Sequence, residues 1–260
     1  MSAPMILSER RGDVLVLTLN RPDRLNAASP EMFEALTAAL GNLEGARAVL
    51  LAGAGRGFCS GADVAAVALR EGDPGEATEA ALTRSYNPAL LAIADLAVPV
   101  ISAVRGPAAG IGCSLALAAD FCVASDSAYF LHAFVNIGLV PDGGASWMLP
   151  RLIGRARAAE MMMLGERVPA ARALDWGMIH RVVADDALDG EALALATRLA
   201  AGPTVALGLM RRALHDGFSS DYAAAMTREA ADQRLARGSA DATEGGTAFL
   251  NKRAPAFRGA

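Results

Sequence analysis

Lysine is nearly absent from this chain. Lys252 is the only one, so 23 of the 24 basic side chains are arginine. The skew reads as a compositional habit of the coding sequence. A net charge of −4 and a pI near 5.5 argue against a general nucleic-acid binder. Cysteine is also scarce. Cys59, Cys113 and Cys122 are odd in number and lack C-x-x-C spacing, which excludes a disulfide framework or a zinc site and points to buried thiols. Of the three histidines, His132, His180 and His215, no two stand at metal-ligand spacing and none falls in a recognisable triad order. Long apolar runs are missing too, although 53% of the residues are hydrophobic. The most apolar stretch, Leu96 to Val104, is interrupted by Pro99 and Ser102 and falls short of the roughly 18 to 20 residues that span a bilayer. Alanine makes up the excess. Residues 1–12 carry Arg10 and Arg11 but no apolar segment of an export signal, so a cytoplasmic protein with no membrane partner is expected.

What is present reads as α/β. The 260 residues suit one domain, or one domain with a helical appendage. Asp13 to Asn20 alternates like a strand, and Ser29-Pro30 starts a helix expected to run to about Leu43. Ala48 to Ala52, Pro99 to Val104 and Asp120 to Ala124 are short buried strands. A helix from about Leu82 to Leu96 and another over Ala108 to Ala119 separate them, while Arg70 to Ala80 looks irregular. Past Pro141 the pattern is almost wholly helical, apart from a possible strand at Ile179 to Val183. The expected layout is an α/β core over residues 1–200 and a helical region over 201–260.

The glycines that follow strands imitate nucleotide sites and fail the test. Gly53-Ala54-Gly55-Arg56-Gly57 is followed by Phe58, and Gly110-Ile111-Gly112 has Leu115 at the sixth position, where a dinucleotide fingerprint needs glycine or alanine. Ser114 lies in Gly112-Cys113-Ser114-Leu115-Ala116, which misses the last glycine of a nucleophile elbow. Two junctions remain, Phe58 to Asp63 and Gly106 to Gly112. Each puts small residues directly after a buried strand, where backbone can approach a ligand. Two peptide N–H groups aimed at one point from such loops could form an oxyanion hole, the second aided by the start of the following helix. Small residues there also serve tight helix–sheet packing.

At these residues the chain resembles the crotonase superfamily of enoyl-CoA hydratases and isomerases. Phe58 to Asp63, Gly106 to Gly112, Asp120, Gly138 to Gly144 and Leu149 to Gly154 carry the likeness, with Ala173 to Gly177 and Phe249 to Arg253 as later landmarks. The resemblance implies a spiral of β-β-α units with a C-terminal helical region that assembles as a homotrimer or a dimer of trimers. It implies an acyl-CoA substrate, with coenzyme A as part of that substrate and no other cofactor. The thioester oxygen would be held by the peptide N–H groups of Ser60 and Ile111, with Ala62, Asp63 and Gly110 beside them. Asn26 and Ala27 match the stretch that lines the CoA moiety. Phe249 and Lys252 fall where family members reach the adenine–phosphate end, often from a neighbouring subunit.

The departures carry the chemistry. The two glutamates that activate water in the hydratases are replaced by Ser114 and Phe134, and neither is a useful base. One carboxylate stands at a place the family uses, Asp142 in Pro141-Asp142-Gly143-Gly144. The expected reaction is therefore a shift of an enoyl-CoA double bond through an enolate, with Asp142 moving the proton and Phe134, Phe130 and Trp147 keeping the site apolar. The alternatives are a hydratase with a displaced acid, hydrolysis or dehalogenation with Asp142 as nucleophile, and a non-catalytic acyl-CoA binder. An aspartate before Gly143-Gly144 is also an ordinary helix N-cap.

Overall fold

The structure, a computed structural model, describes residues 3–63 and 73–260. Strands β1 (Ile6–Arg11) and β2 (Val14–Leu19) form an antiparallel hairpin, which the sequence pattern shows only in its second arm. Strands β3 (Ala48–Gly53), β4 (Val100–Val104), β6 (Phe121–Ser125) and β9 (Arg181–Val183) extend it in parallel, giving one sheet in the order β1-β2-β3-β4-β6-β9. A second, small sheet holds β5 (Pro107–Ala109), β7 (Tyr129–Leu131) and β8 (Val168–Pro169) in the order β5-β7-β8. The chain visits the large sheet and then the small one, β4 to β5 and β6 to β7, and after β3 it touches β5 through the Cys59–Ala108 bridge. This is the spiral of β-β-α units that the resemblance implies.

The short apolar strands follow from burial on both faces. In β2, Leu15, Leu17 and Leu19 enter the main core, while Val14 and Val16 enter a second core on the other face. Helix α7 (Leu188–Ala200) covers that second face with Leu188, Ala192, Ala196 and Ala200, which recur at helical spacing. On the main face, α1 (Pro30–Leu40) buries Met32, Phe33, Leu36 and Leu40. Ser29 caps α1 by accepting from the Met32 N–H at 3.3 Å, and the helix stops at Gly41, short of the expected Leu43.

Three boundaries depart from the sequence reading. Pro74–Ala81 is a helix, α2, because the Asp73 carboxylate accepts from the Gly75 and Glu76 N–H groups at its start. Positions 70–72 of the stretch read as irregular lie outside the described residues. Helix α2 passes through a π-helical turn, Leu82–Tyr86, into α3 (Asn87–Asp95). The helix expected over Ala108 to Ala119 is instead β5 followed by α4 (Ile111–Leu117); Gly110, at φ 52°, turns the chain between them. Local composition did not show that break, because alanine-rich pairing to β7 is a tertiary effect.

Beyond α5 (Ala145–Leu164), which breaks at Gly154, and α6 (Ala170–Asp175), the chain ends in α8 (Thr204–Gly217), α9 (Tyr222–Arg237) and α10 (Ala240–Leu250). Arg211 fastens α8 to the large sheet. Its Nε donates to Asp120 at 2.7 Å, and its Nη1 donates to the Ala94 and Leu96 carbonyls at 2.7 and 2.8 Å. The same Asp120 oxygen accepts the Val100 N–H at 2.7 Å, so this one carboxylate ties β4, β6 and α8 together. Among the described residues, no single helix is long and apolar enough to cross a membrane.

Removing one partner of such a group leaves the other unpaired. Arg211→Leu is expected to destabilise the protein by about 3 to 5 kcal/mol, measured by denaturant titration. A loss below about 1 kcal/mol would show that α8 is held by apolar packing alone.

Candidate active site

The two glycine-bearing junctions lie against each other. The Cys59 N–H donates to the Pro107 carbonyl at 3.0 Å, and the Ala109 N–H donates to the Cys59 carbonyl at 2.9 Å. A β-carbon on Gly112 would fall 2.6 Å from the Cys59 β-carbon, so only glycine allows this approach, while Gly110 is favoured by its left-handed φ of 52°.

Ser60 is not free to serve as the first donor. Its N–H already donates to the Leu25 carbonyl at 3.0 Å, and its hydroxyl donates to the Arg24 carbonyl at 3.3 Å. The carry-over to Ser60 is therefore corrected. Two residues on, Ala62 is exposed, and its N–H meets no acceptor among the described residues. The Ile111 N–H, at the start of α4, likewise has no acceptor among the described residues. Sequence reasoning placed Ala62 beside the site and assigned the free N–H to Ser60, because hydrogen bonding to Leu25 is invisible in a motif.

Asn26 also differs from expectation. It is fully buried; its amide donates to the Ala54 and Gly57 carbonyls at 3.0 and 2.7 Å, and its Oδ1 accepts the Arg21 N–H at 2.7 Å. Ala27 has its N–H bonded to the Arg24 carbonyl and its own carbonyl to the Arg21 guanidinium. The Asn26 side chain and both N–H groups are thus taken up within the loop, which they shape. Arg21 further pairs with Asp63 at 2.9 Å, which locks that loop to the Gly61–Asp63 junction. Phe249 and Lys252 are exposed at and just past the end of α10, and no contact brings them to these loops among the described residues.

Asp142 is held in the turn before α5. The helix is not capped by its side chain: Gly144 is the N-cap, at φ 78°, and no side chain bonds the first turn. The capping account of this aspartate is thereby removed. Oδ1 is buried without a hydrogen-bond partner among the described residues. Burial raises its pKa to about 6, partly offset by its own backbone N–H. Such a carboxyl is a poised proton acceptor near neutral pH.

Ser114 and Phe134 complete the site. Ser114 is fully buried on α4, and its hydroxyl donates to the Asp142 carbonyl at 3.1 Å. The Phe134 ring lies over the donor loop, with its Cζ 3.4 Å from where a Gly110 β-carbon would stand. Of the other rings expected to line the site, Phe130 is buried in the core, and Trp147 turns to His215 and Phe218. His132 stacks behind Phe134 with ring centroids 5.8 Å apart. Both of its ring nitrogens are buried without partners among the described residues, and burial lowers its pKa to about 4. The cysteines are buried and unpaired, their thiols pushed up by desolvation, as structural thiols are. No cluster of three or more His, Cys, Asp or Glu side chains suited to a metal ion occurs among the described residues.

Comparison with known proteins shows the family and agrees with the fold. Residues 9–260 match the family model described as enoyl-CoA hydratase/isomerase. The 1,2-epoxyphenylacetyl-CoA isomerase of Escherichia coli K12 is 44% identical over 257 residues, covering 98% of each chain. A protein of Rhodobacter capsulatus named a "probable enoyl-CoA hydratase" is 42% identical over 260 residues and the full length of both. The crystal structure of an enoyl-CoA hydratase from Polaromonas sp. JS666 superposes with a TM-score of 0.93 at 34% identity, covering 97% of this chain and 99% of that one.

His132 gives a pH test. Its folded pKa, about 4, lies below the ordinary 6.5, so the unfolded chain takes up a proton that the folded one refuses. Its contribution to stability is complete above pH 6.5 and is lost as the pH falls toward 4, a loss of order 3 kcal/mol. Asp142 has the opposite sign, since its raised pKa favours the fold at low pH and that favour fades as the pH rises from 3.8 through about 6. His132→Phe, compared with the parent by denaturant titration between pH 4 and 7, should isolate the histidine and flatten the acid loss. An unchanged slope would show that the imidazole finds a partner.

Proposed function

The chain belongs to the enoyl-CoA hydratase/isomerase family, and from that premise we propose that it is an acyl-CoA isomerase whose proton-transfer group is Asp142. The observation that carries this reading is the Asp142 carboxyl: buried, uncapped, without a partner on Oδ1 among the described residues, and raised to about pKa 6. Ser114 and Phe134 stand where the family resemblance places the hydratase glutamates, and neither can activate water.

In this mechanism the thioester carbonyl of a 3-enoyl-CoA accepts hydrogen bonds from the Ala62 and Ile111 N–H groups. Asp142 takes a proton from C2. The electron pair delocalises into the carbonyl, and the two N–H donors stabilise the resulting dienolate oxygen. The same carboxylic acid then returns the proton to C4, leaving the double bond between C2 and C3. Phe134 keeps water from the intermediate. One carboxylate suffices because it accepts and then donates a single proton. The epoxyphenylacetyl substrate in the name of the E. coli relative favours a second reading, in which the acyl group carries a ring; the same donors and base would serve it.

We also propose that residues 201–260 form the surface on which three copies of a cytoplasmic enzyme assemble. Helices α8 and α9 leave an apolar groove of about 740 Å³, lined among others by Leu209, Met210, Leu214 and Met226. Exposed Met210 and Leu214 beside this groove, and exposed Phe249 at the end of α10, are what covering subunits would bury, and Lys252 would then face a neighbour's CoA phosphates. Light scattering should give a trimer or hexamer, and Leu214→Glu should shift it to smaller species. A monodisperse monomer at micromolar concentration contradicts the assembly.

The reaction is tested by incubating the protein with 2-enoyl-, 3-enoyl- and saturated acyl-CoA and separating the products. Bond migration is expected, and water addition or free CoA would identify a hydratase or hydrolase. Asp142→Asn should lower turnover by roughly 10² to 10⁴-fold while acyl-CoA binding survives. The parent's kcat/KM should fall about tenfold per pH unit below the Asp142 pKa, about 6, and level off above it. A well-folded Asp142→Asn protein with full activity eliminates this mechanism.

A further inference from the structure

The turn that carries Asp142 is seated on α4, the helix whose first residue is the donor Ile111. Ser114, one turn along the same helix, is fully buried and hydrogen-bonds the Asp142 carbonyl at 3.1 Å. The next residue of the turn, Gly143, is in the left-handed region at φ 60°. A β-carbon there would meet Ile111 Cδ1 at 2.6 Å, Ser114 Cβ at 2.7 Å and Ser114 Oγ at 2.9 Å. Donor, serine and turn thus share one closed socket, and no side-chain atom could be added to Gly143 without displacing it.

We propose that Ser114 is a positioning residue that sets the Asp142 carboxyl in register with the Ile111 N–H, and that its socket bars the hydratase arrangement. The proposal rests on Asp142 being the base. Within its own turn the Asp142 carbonyl also accepts the Ala145 N–H at 3.2 Å, and the Asp142 side chain does not cap α5, so the Ser114 hydroxyl is the bond that ties this carbonyl to another element. The Ser114 hydroxyl supplies that fixed point from the helix that also presents the donor. Proton transfer is sensitive to placement: a base displaced by about 1 Å loses rate on the order of 10²-fold. The same packing explains the small residue at position 114. A glutamate there would extend from the place of the Ser114 hydroxyl, which already lies 3.1 Å from the Asp142 carbonyl, so on this proposal the seated base and a hydratase's first glutamate exclude each other.

Ser114→Ala removes the hydroxyl and keeps the helix. With a 3-enoyl-CoA, kcat is expected to fall about 10- to 50-fold while KM stays within about threefold, at a temperature well below unfolding. In deuterium oxide, the share of product that keeps the original C2 proton at C4 should drop, because a loose base exchanges its proton before returning it. Ser114→Cys, which restores a weak donor, should recover part of both, and Ser114→Glu should lose isomerisation without gaining hydration. Asp142→Asn is assayed beside them. If it retains full activity, the base assignment and this proposal fall together. If it is inactive while Ser114→Ala keeps the parental kcat and proton retention, Ser114 has no positioning role and only this proposal fails. Hydration by Ser114→Glu would likewise refute the exclusion.

Discussion

The backbone of Cys59 is hydrogen-bonded on both sides to β5, its N–H to Pro107 and its carbonyl to the Ala109 N–H. This pairing brings the end of one strand–loop unit flush against the start of the next. The approach is so close that Gly112 has no room for a β-carbon beside Cys59, and Gly61 must take φ 101° to leave the contact. Everything at the site is referenced to it. Ala62 emerges from one strand end, Ile111 from the other, and α4 then carries Ser114 to the turn that holds Asp142. The buried Asn26 side chain and the Arg21–Asp63 pair brace the outer side of the same junction. A polar network of this kind is fully satisfied from within, which is why it can be rigid without a ligand.

That arrangement was legible in the sequence only where single residues carried it. The small residues after buried strands, the missing glutamates at 114 and 134, and the lone aspartate at 142 are chemical facts that no packing can change. The buried parallel strands were readable because a sheet covered on both faces needs continuous apolar runs. What the sequence hid was relational. Nothing local distinguishes Ser60, whose N–H is turned onto Leu25, from Ala62, whose N–H meets no acceptor among the described residues. The resemblance places Asn26 in a stretch that lines the CoA moiety, and nothing local shows that its side chain is taken up by three partners 5 to 31 residues away. Trp147 is expected to keep the site apolar, yet it packs against His215 and Phe218 at the end of α8.

The polar groups left without partners are informative by contrast. Most buried donors and acceptors in a fold are paired, and each one left open costs stability. Among the described residues two such atoms, Ser220 Oγ and Asp232 Oδ2, lie by and on α9, and the others stand around α4. Those are the Asp142 Oδ1 and, behind Phe134, the His132 imidazole, beside the unpaired Ala62 and Ile111 N–H groups. The donors answer one another chemically only through a ligand that offers a carbonyl oxygen to the two N–H groups and a C–H to the carboxylate. A thioester with an acidic α-carbon is such a ligand.

A single carboxylate could in principle serve addition of water as well as migration of a double bond. What separates the two is the surrounding volume. Addition needs a water molecule held against C3 by acceptors on both sides, and such a water keeps its neighbourhood polar. At this site the positions that would hold it are a phenyl ring, backed by a neutral imidazole, and a serine whose hydroxyl is turned onto a backbone carbonyl. Burial raises the Asp142 pKa, and in the proposed mechanism the same exclusion of water removes the competing nucleophile. In the proposed mechanism, the basicity that proton transfer requires and the dryness that would protect a dienolate therefore have one physical origin. A residue change that hydrates the pocket would weaken both at once.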